Sequence, residues 1–251
     1  MILLEWITKK DILEKLEKLE LKDEEILLVY GDISETSKIV GGVQTVMEAI
    51  FETVGYHTTI VMPAHRLSNK PLFFDPTLPP AVREHVPAFD VDLTPVASGN
   101  LAQALAMHKS TVRSAHPLAS FIAMGRKATW LMNGHQKNTM FGSGSPLEKA
   151  YAQGAKLLCI GNLSEHLTAL HLLNYLSEEK ETFIYEAPVS LAGKRQTMKF
   201  EDLKLDGSAY GEILGKFAQK YEVGRVQVGD FSASLLDYRE LIDFGAKHIS
   251  A

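Results

Sequence analysis

Two hydrophobic rhythms alternate along the chain. One has a helical period and the other runs as short unbroken apolar stretches. Ile12, Leu13, Leu16 and Leu19 recur at helical spacing among Lys and Glu, which predicts a charged surface helix over residues 8–20. Thr8 stands at its start with Asp11 three residues on, a pairing close to a capping box. Ile26-Leu27-Leu28-Val29-Tyr30 is a short apolar run typical of a buried strand, and it ends in Gly31-Asp32. Gly41-Gly42 then precede Val43, Val46, Met47, Ile50 and Val54 at helical spacing. Thr58-Thr59-Ile60-Val61-Met62, closed by Pro63, reads as a second strand. Residues 26–62 thus predict strand, loop, helix and strand, the βαβ pattern of a covered sheet.

Residues 63–95 break the rhythm and hold seven of the ten prolines. A long proline-rich stretch inside a compact domain is either a functional loop or lid, or a surface excursion without a role. Beyond it the pattern predicts a helix over 98–107, a loop over 111–117 and a helix over 120–132. Another helix is opened by Ser145 as cap and Pro146 at its first position. A buried strand follows over 156–161, a helix over 165–177 and a strand over 182–189. A helix over 207–220, a strand over 224–228 and a helix over 231–247 close the chain. No repeat, low-complexity segment or linker interrupts this alternation. The expectation is one α/β domain over residues 1–251, with 63–95 as its proline-rich loop region.

Composition narrows the class of protein without naming a function. The 251 residues are 45% hydrophobic and 23% charged, ordinary values for a folded globular chain rather than a disordered or fibrous one. One Cys excludes a disulfide framework and any multi-cysteine zinc site. A net charge of −5 argues against a nucleic-acid partner and is compatible with a cationic small substrate. The first residues lack the basic start, long apolar core and cleavage site of a signal peptide, and no apolar run is long enough to span a bilayer. A cytoplasmic protein without a membrane partner is therefore expected.

Among chemically capable residues, Cys159 sits inside an apolar strand run and reads as a core residue rather than a nucleophile. The nine histidines form no HExxH or other recognised metal spacing, so no metal site is expected. His171 is set apart by its surroundings. On a helix, Thr168, His171 and Asn174 or Tyr175 line one stripe while Leu167, Leu170 and Leu173 line another. The polar stripe begins just after the strand ending at Gly161, and α/β sheets bind ligands at the carboxyl ends of their strands. His171 is thus either a general base or a histidine hydrogen-bonded inside the core. His116, between Arg113 and Pro117, is either functional or a brace. Gly41-Gly42 opening a helix offers backbone N–H groups to a phosphate, or is simply a turn. There is no GxxxxGK[ST] and no GxSxG, which excludes a nucleotide P-loop and an α/β-hydrolase elbow.

In order along the chain stand Val40-Gly41-Gly42-Val43, Thr59-Ile60-Val61-Met62-Pro63, and Val86-Pro87-Ala88-Phe89 with Thr94-Pro95. Val112-Arg113-Ser114-Ala115-His116-Pro117-Leu118-Ala119-Ser120-Phe121, Gly125-Arg126, Ser145-Pro146-Leu147, Leu158-Cys159-Ile160-Gly161, Thr168-Ala169-Leu170-His171 and Asp243-Phe244-Gly245 follow. Together these resemble the aminoglycoside 3-N-acetyltransferase family over nearly the whole chain. The RSxHPxxSF run and the TxxH pair are its specific parts.

The resemblance implies a layered α/β/α fold around a mixed sheet, distinct from the GNAT fold, and acetyl transfer from acetyl-CoA to an amine of an aminoglycoside or another cationic acceptor. It implies His171 as the base, with Thr168 and Asn174 beside it. Tyr30, Gly31, Asp32, Gly41, Gly42, Val43, Arg113, Ser114 and His116 are expected near the cofactor. Asp75 in the proline-rich segment is expected at the acceptor site, and a homodimer is expected because family members are often dimers. Two positions depart from the family pattern. Where the family has a Glu beside its base, this chain has Asn174. Where the family has His-Ser-Ser at the first strand end, it has Tyr30-Gly31-Asp32. These departures leave open a second reading, a member that binds CoA or a partner without turnover.

Overall fold

The structure is a computed structural model and describes residues 6–21, 24–55, 57–66, 79–161, 168–178 and 180–249. The chain opens with α1 (Lys9–Leu16), extended by a 3-10 turn over Glu17–Leu19. The capping box forms as expected: Thr8 Oγ1 accepts from Asp11 N–H and the Asp11 carboxylate accepts from Thr8 N–H. Such a cap stabilises a helix by about 1 kcal/mol. Next come β1 (Ile26–Gly31), α2 (Gly42–Val54), β2 (Thr59–Pro63), α3 (Pro80–Arg83) and α4 (Asn100–Ala106). The middle of the chain holds β3 (Val112–Arg113), β4 (Phe121–Met124), α5 (Ala128–Met132), α6 (Pro146–Ala152) and β5 (Lys156–Ile160). A 3-10 turn over Thr168–His171 leads into α7 (Leu172–Leu176). The last elements are β6 (Thr182–Leu191), β7 (Lys194–Leu203), α8 (Tyr210–Lys220), β8 (Gly224–Val228), β9 (Phe231–Asp237) and α9 (Tyr238–Ile249).

Seven strands form one mixed sheet in the order β3-β4-β2-β1-β5-β9-β8. β1 pairs in parallel with both β2 and β5, and the outer pairings are antiparallel. The central strands are apolar on both faces because both faces are covered. Ile26, Leu28, Tyr30, Leu157 and Cys159 face one core with residues of α5 to α9. Leu27, Val29, Ile60, Met62, Leu158 and Ile160 face the other, against α1, α2 and α4. The expected α/β/α layering follows from that alternation. β6 and β7 form a separate two-stranded ribbon. Ala187 and Phe200 of the ribbon enter the first core. The later part of the proline-rich region crosses to it, since Phe89 N–H donates to Pro188 O at 2.7 Å and Ser190 N–H to Phe89 O at 2.7 Å.

Several expected elements are corrected. Residues 120–132 are not one helix. Phe121–Met124 is β4, registered against β2, and only Ala128–Met132 is helical. Gly125 forces the break: its φ is 130°, and a Cβ there would crowd the Thr58 carbonyl. Residues 231–247 likewise divide into β9 and α9, with Phe231 and Ala233 filling the second core. Val112–Arg113 is a short strand rather than loop, because its backbone pairs with β4. β7, for which the sequence carried no apolar signal, is held by its full register with β6. Within 165–177 the described part is a 3-10 turn plus one short helix.

Gly31 is required where β1 leaves the sheet. Its φ is 137°, and a Cβ would land on the carbonyl of Ile160 in the neighbouring strand. Gly31→Ala should therefore lose ~3 kcal/mol or more, seen as a fall of about 10 °C in a thermal melt. Gly42→Ala, at φ 63° with open space around it, should lose only about 1 kcal/mol. Equal small losses would contradict this reading of the strand exit.

Candidate functional site

The parallel strands β1 and β5 end side by side. Gly31 closes β1 and Gly161 follows β5, and a Cβ on Gly161 would stand 3.3 Å from the Asp32 carbonyl. Gly99 approaches from the loop before α4, where a Cβ would stand 3.3 Å from the Gly31 carbonyl. Three backbone segments therefore meet closely at this strand end, the end of the sheet where α/β proteins bind ligands. Asp32 is tied down there. Its Oδ1 accepts from Ile33 N–H at 3.1 Å and from Asn100 N–H at 3.0 Å, which braces the start of α4. α2 follows β1, so Gly41, Gly42 and Val43 lie at its amino end on the same side of the sheet. Gly41 and Gly42 take φ values of 80° and 63° there.

Next to this strand end, aromatic rings order the polar groups. In a 3-10 turn residues i and i+3 eclipse, which brings Thr168 and His171 side by side. The Thr168 hydroxyl is 2.9 Å from His65 Nε2, and His65 Nδ1 is 2.8 Å from the Ser120 carbonyl. A carbonyl only accepts, so Nδ1 carries the hydrogen and Nε2 accepts from Thr168. The Tyr30 hydroxyl lies 3.4 Å from Thr168 Oγ1. His65 is packed edge-on against Phe121 and Phe141, at 4.6 and 5.3 Å between ring centres. Phe141 also stacks on His171 at 5.0 Å.

On its other side His171 meets two oxygens. Its Nδ1 is 3.2 Å from Asn174 Oδ1 and 2.8 Å from the Tyr210 hydroxyl, which is itself 3.0 Å from Asn174 Oδ1. Asn174 Nδ2 donates to the Asp206 carbonyl at 2.9 Å, which points Oδ1 at the imidazole. One arrangement satisfies every group: Nδ1–H donates to both oxygens, and Tyr210 O–H donates to Asn174 Oδ1. In the opposite tautomer the Tyr210 O–H would turn to Nδ1, and Asn174 Oδ1 would lose both donors while facing the Nδ1 lone pair at 3.2 Å. Nε2 is therefore the unprotonated nitrogen. Among the described residues it has no hydrogen-bond partner, and the side chain is partly exposed.

The structure gives Ser114 and His116 a different position from the expected cofactor contact. His116 is buried, with Nε2–H donating to Lys137 O at 3.0 Å and Nδ1 accepting from Leu118 and Ala119 N–H. Ser114 is buried as well. It accepts from Phe121 N–H at 2.9 Å and donates to His135 Nδ1 at 2.9 Å, because His135 Nε2–H is taken by Met140 O. Both are braces. Arg113 donates to Ser120 Oγ, Ala64 O and Thr94 O and lies over the Phe89 ring at 5.1 Å. Burial lowers its pKa to about 10, so it stays charged at neutral pH. Asp75 lies outside the described residues. Cys159 is buried in the core with its thiol pushed up to about 12, which leaves no nucleophile there. Sequence reasoning missed His65, Phe141 and Tyr210. His65 carried one positional signal, its place just after a strand end, whereas Tyr210 carried none.

A profile of the aminoglycoside 3-N-acetyltransferase family matches residues 28–250. The chain belongs to that family. Among its relatives, an aminoglycoside N(3')-acetyltransferase-like protein of Bacillus subtilis is 28% identical over 96% of this chain and 91% of its own length. Two solved structures show how closely this acetyltransferase-family chain keeps the fold. AAC-IIIb with CoASH superposes at a TM-score of 0.86 and 26% identity, covering 98% of this chain and 97% of the other. AAC-VIa bound to sisomicin gives a TM-score of 0.86 and 26% identity, covering 98% of each.

Four imidazoles are kept neutral in this family member. Burial pushes His65 and His116 down to about 3, and His135 and His171 down to about 4. The unfolded chain takes up protons near pH 6.5 while the folded chain does not, so stability is full above that pH and falls below it. Each imidazole contributes up to about 1.4 kcal/mol per pH unit between its two pKa values. Urea melts should show a level midpoint at neutral pH and a steep fall that begins above the carboxylate range. A midpoint that stays level until carboxylates titrate would contradict the buried neutral rings.

Proposed function

We propose that the chain transfers an acetyl group from acetyl-CoA to an amine of an aminoglycoside, with His171 as general base. The observation that supports this most directly is that Nε2 has no hydrogen-bond partner among the described residues, while Nδ1 is held by Asn174 and Tyr210 and the ring stacks on Phe141. The amine nitrogen attacks the thioester carbonyl, the carbon–sulfur bond breaks, and the amine proton passes to Nε2 and then to the departing CoA sulfur. The products are an N-acetylated amine and CoASH, and no enzyme nucleophile enters the reaction. A low pKa keeps the base unprotonated at neutral pH, which is the form the reaction needs. CoASH in the AAC-IIIb structure and sisomicin in the AAC-VIa structure support the two substrate classes.

The rest of the reading follows the same layout. Gly31, Asp32, Gly41, Gly42 and Val43 lie at the sheet end where the CoA arm would run, and Tyr30 and Thr168 stand beneath it. Arg113 has carbonyls and a hydroxyl for partners rather than a carboxylate, so its charge favours an anionic cofactor nearby. Asp75 remains the candidate carboxylate for the cationic acceptor. Among the described residues no helix is long and apolar enough to cross a membrane. A cytoplasmic reaction, a single acting domain over 1–251 and a homodimer complete the proposal.

Release of the CoA thiol, followed with acetyl-CoA and a panel of aminoglycosides, tests it. Turnover is expected, and His171→Ala should lower kcat about 10²- to 10⁴-fold while the protein still binds CoA in a calorimetric titration. CoA binding without turnover on any amine would favour the binding-only reading instead. Turnover unaffected by His171→Ala would remove His171 as the base.

A further inference from the structure

The imidazole of His171 rests on two uncharged side chains from different parts of the chain. Asn174 comes from the same helical segment, and Tyr210 is the first residue of α8. The nearby carboxylate is engaged elsewhere: both oxygens of Asp206 accept from Ser208, at 2.9 Å from N–H and 3.0 Å from the hydroxyl. The Asp206 backbone carbonyl faces Asn174 Nδ2 instead. A carboxylate at position 174 would set an oxygen against that carbonyl, so this pocket selects an amide. We propose that Tyr210 is a positioning residue for the proton transfer, holding His171 as the Nδ1–H tautomer jointly with Asn174, so that two neutral groups stand where the family places a carboxylate. This rests on the reading of His171 as the base.

Tyr210 is built for that position. Its side chain is buried, with its ring edge-on to His171 at 5.3 Å between centres. Burial raises its pKa, so the hydroxyl keeps its proton at neutral pH. That one proton goes to Asn174 Oδ1 and the oxygen accepts from His171 Nδ1–H, which gives each member of the triangle a defined role. Which ring nitrogen of a histidine is protonated is set by the hydrogen bond its other nitrogen makes. Without the hydroxyl, the 3.2 Å contact to Asn174 alone holds Nδ1–H, and the tautomer with hydrogen on Nε2 becomes populated. That tautomer cannot accept the amine proton.

Tyr210→Phe keeps the ring and removes only the oxygen. Diethylpyrocarbonate attacks an unprotonated imidazole nitrogen, so peptide mapping of carbethoxylated His171 at neutral pH reports the bare Nε2 without any need for turnover. In Tyr210→Phe, modification of His171 should slow about three-fold or more, because the bare form is depleted. Asn174→Leu, which removes the other acceptor, should slow it as well. A merely packing role for Tyr210 predicts the reverse, since loosening would open the ring to the reagent. Unchanged or faster modification in Tyr210→Phe would overturn the proposal. In steady state, Tyr210→Phe should lower kcat about ten-fold with the KM for acetyl-CoA unchanged. A raised KM at unchanged kcat would overturn it too. Absence of turnover in the unmodified protein would remove the acetyltransferase reading, and the reagent measurement would then decide Tyr210 by itself.

Discussion

Phe141 is wedged between two imidazoles, edge-on to His65 and stacked on His171. Around it, Phe121 packs on His65, and His116 lies 4.8 Å from His135. These contacts bury His65, His116 and His135 and shield much of His171, and desolvation favours the neutral form of each. A neutral ring has one donor and one acceptor nitrogen, so every partner must match one tautomer. Carbonyls of Ser120, Lys137 and Met140 take the donors of His65, His116 and His135. Thr168, Ser114 and two backbone amides supply their acceptors. In His171 alone of the four, one nitrogen has no partner among the described residues.

That exception lies at a defined place in the scaffold. Parallel pairing of β1 with β5 sets their carboxyl ends side by side, and the glycines there let three backbone segments approach closely. Tyr30, one residue before the β1 exit, reaches Thr168 in the turn that ends at His171. The strand end, the hydroxyl relay to His65 and the imidazole are thus parts of one packed unit, and a change at Gly31 is felt by the chemistry through packing rather than contact.

How much of this was legible in the sequence depends on whether the information was local. β1 and β5 were clear because both of their faces are buried, and the α1 cap was clear because Thr8 and Asp11 are three residues apart. The Phe121–Met124 strand was read as helix because a four-residue apolar run has no period to distinguish the two. β9 was lost for a related reason: its Ser-Ala-Ser core merges with the helical pattern of α9. β7 has no apolar face except Met198 and Phe200, and its strand state comes from the partner ribbon. At the site, Thr168, His171 and Asn174 were legible from one helical stripe and from the family motif. The Tyr210 contact spans 39 residues and the His65 contact to Thr168 spans 103, so neither leaves a local trace. Arg113, Ser114 and His116 were legible as a motif, but a motif does not say that two of its members are buried braces.

Burial and two oxygens hold His171 neutral with its hydrogen on Nδ1. The most direct measurement is a nitrogen-15 NMR pH titration of the labelled imidazoles, with the His171 signals assigned through a His171→Gln variant. The expected result is a neutral Nδ1–H ring at physiological pH that gains its second proton only near about 4. A His171 ring that titrates at the ordinary histidine value, or carries its hydrogen on Nε2 when neutral, would contradict it.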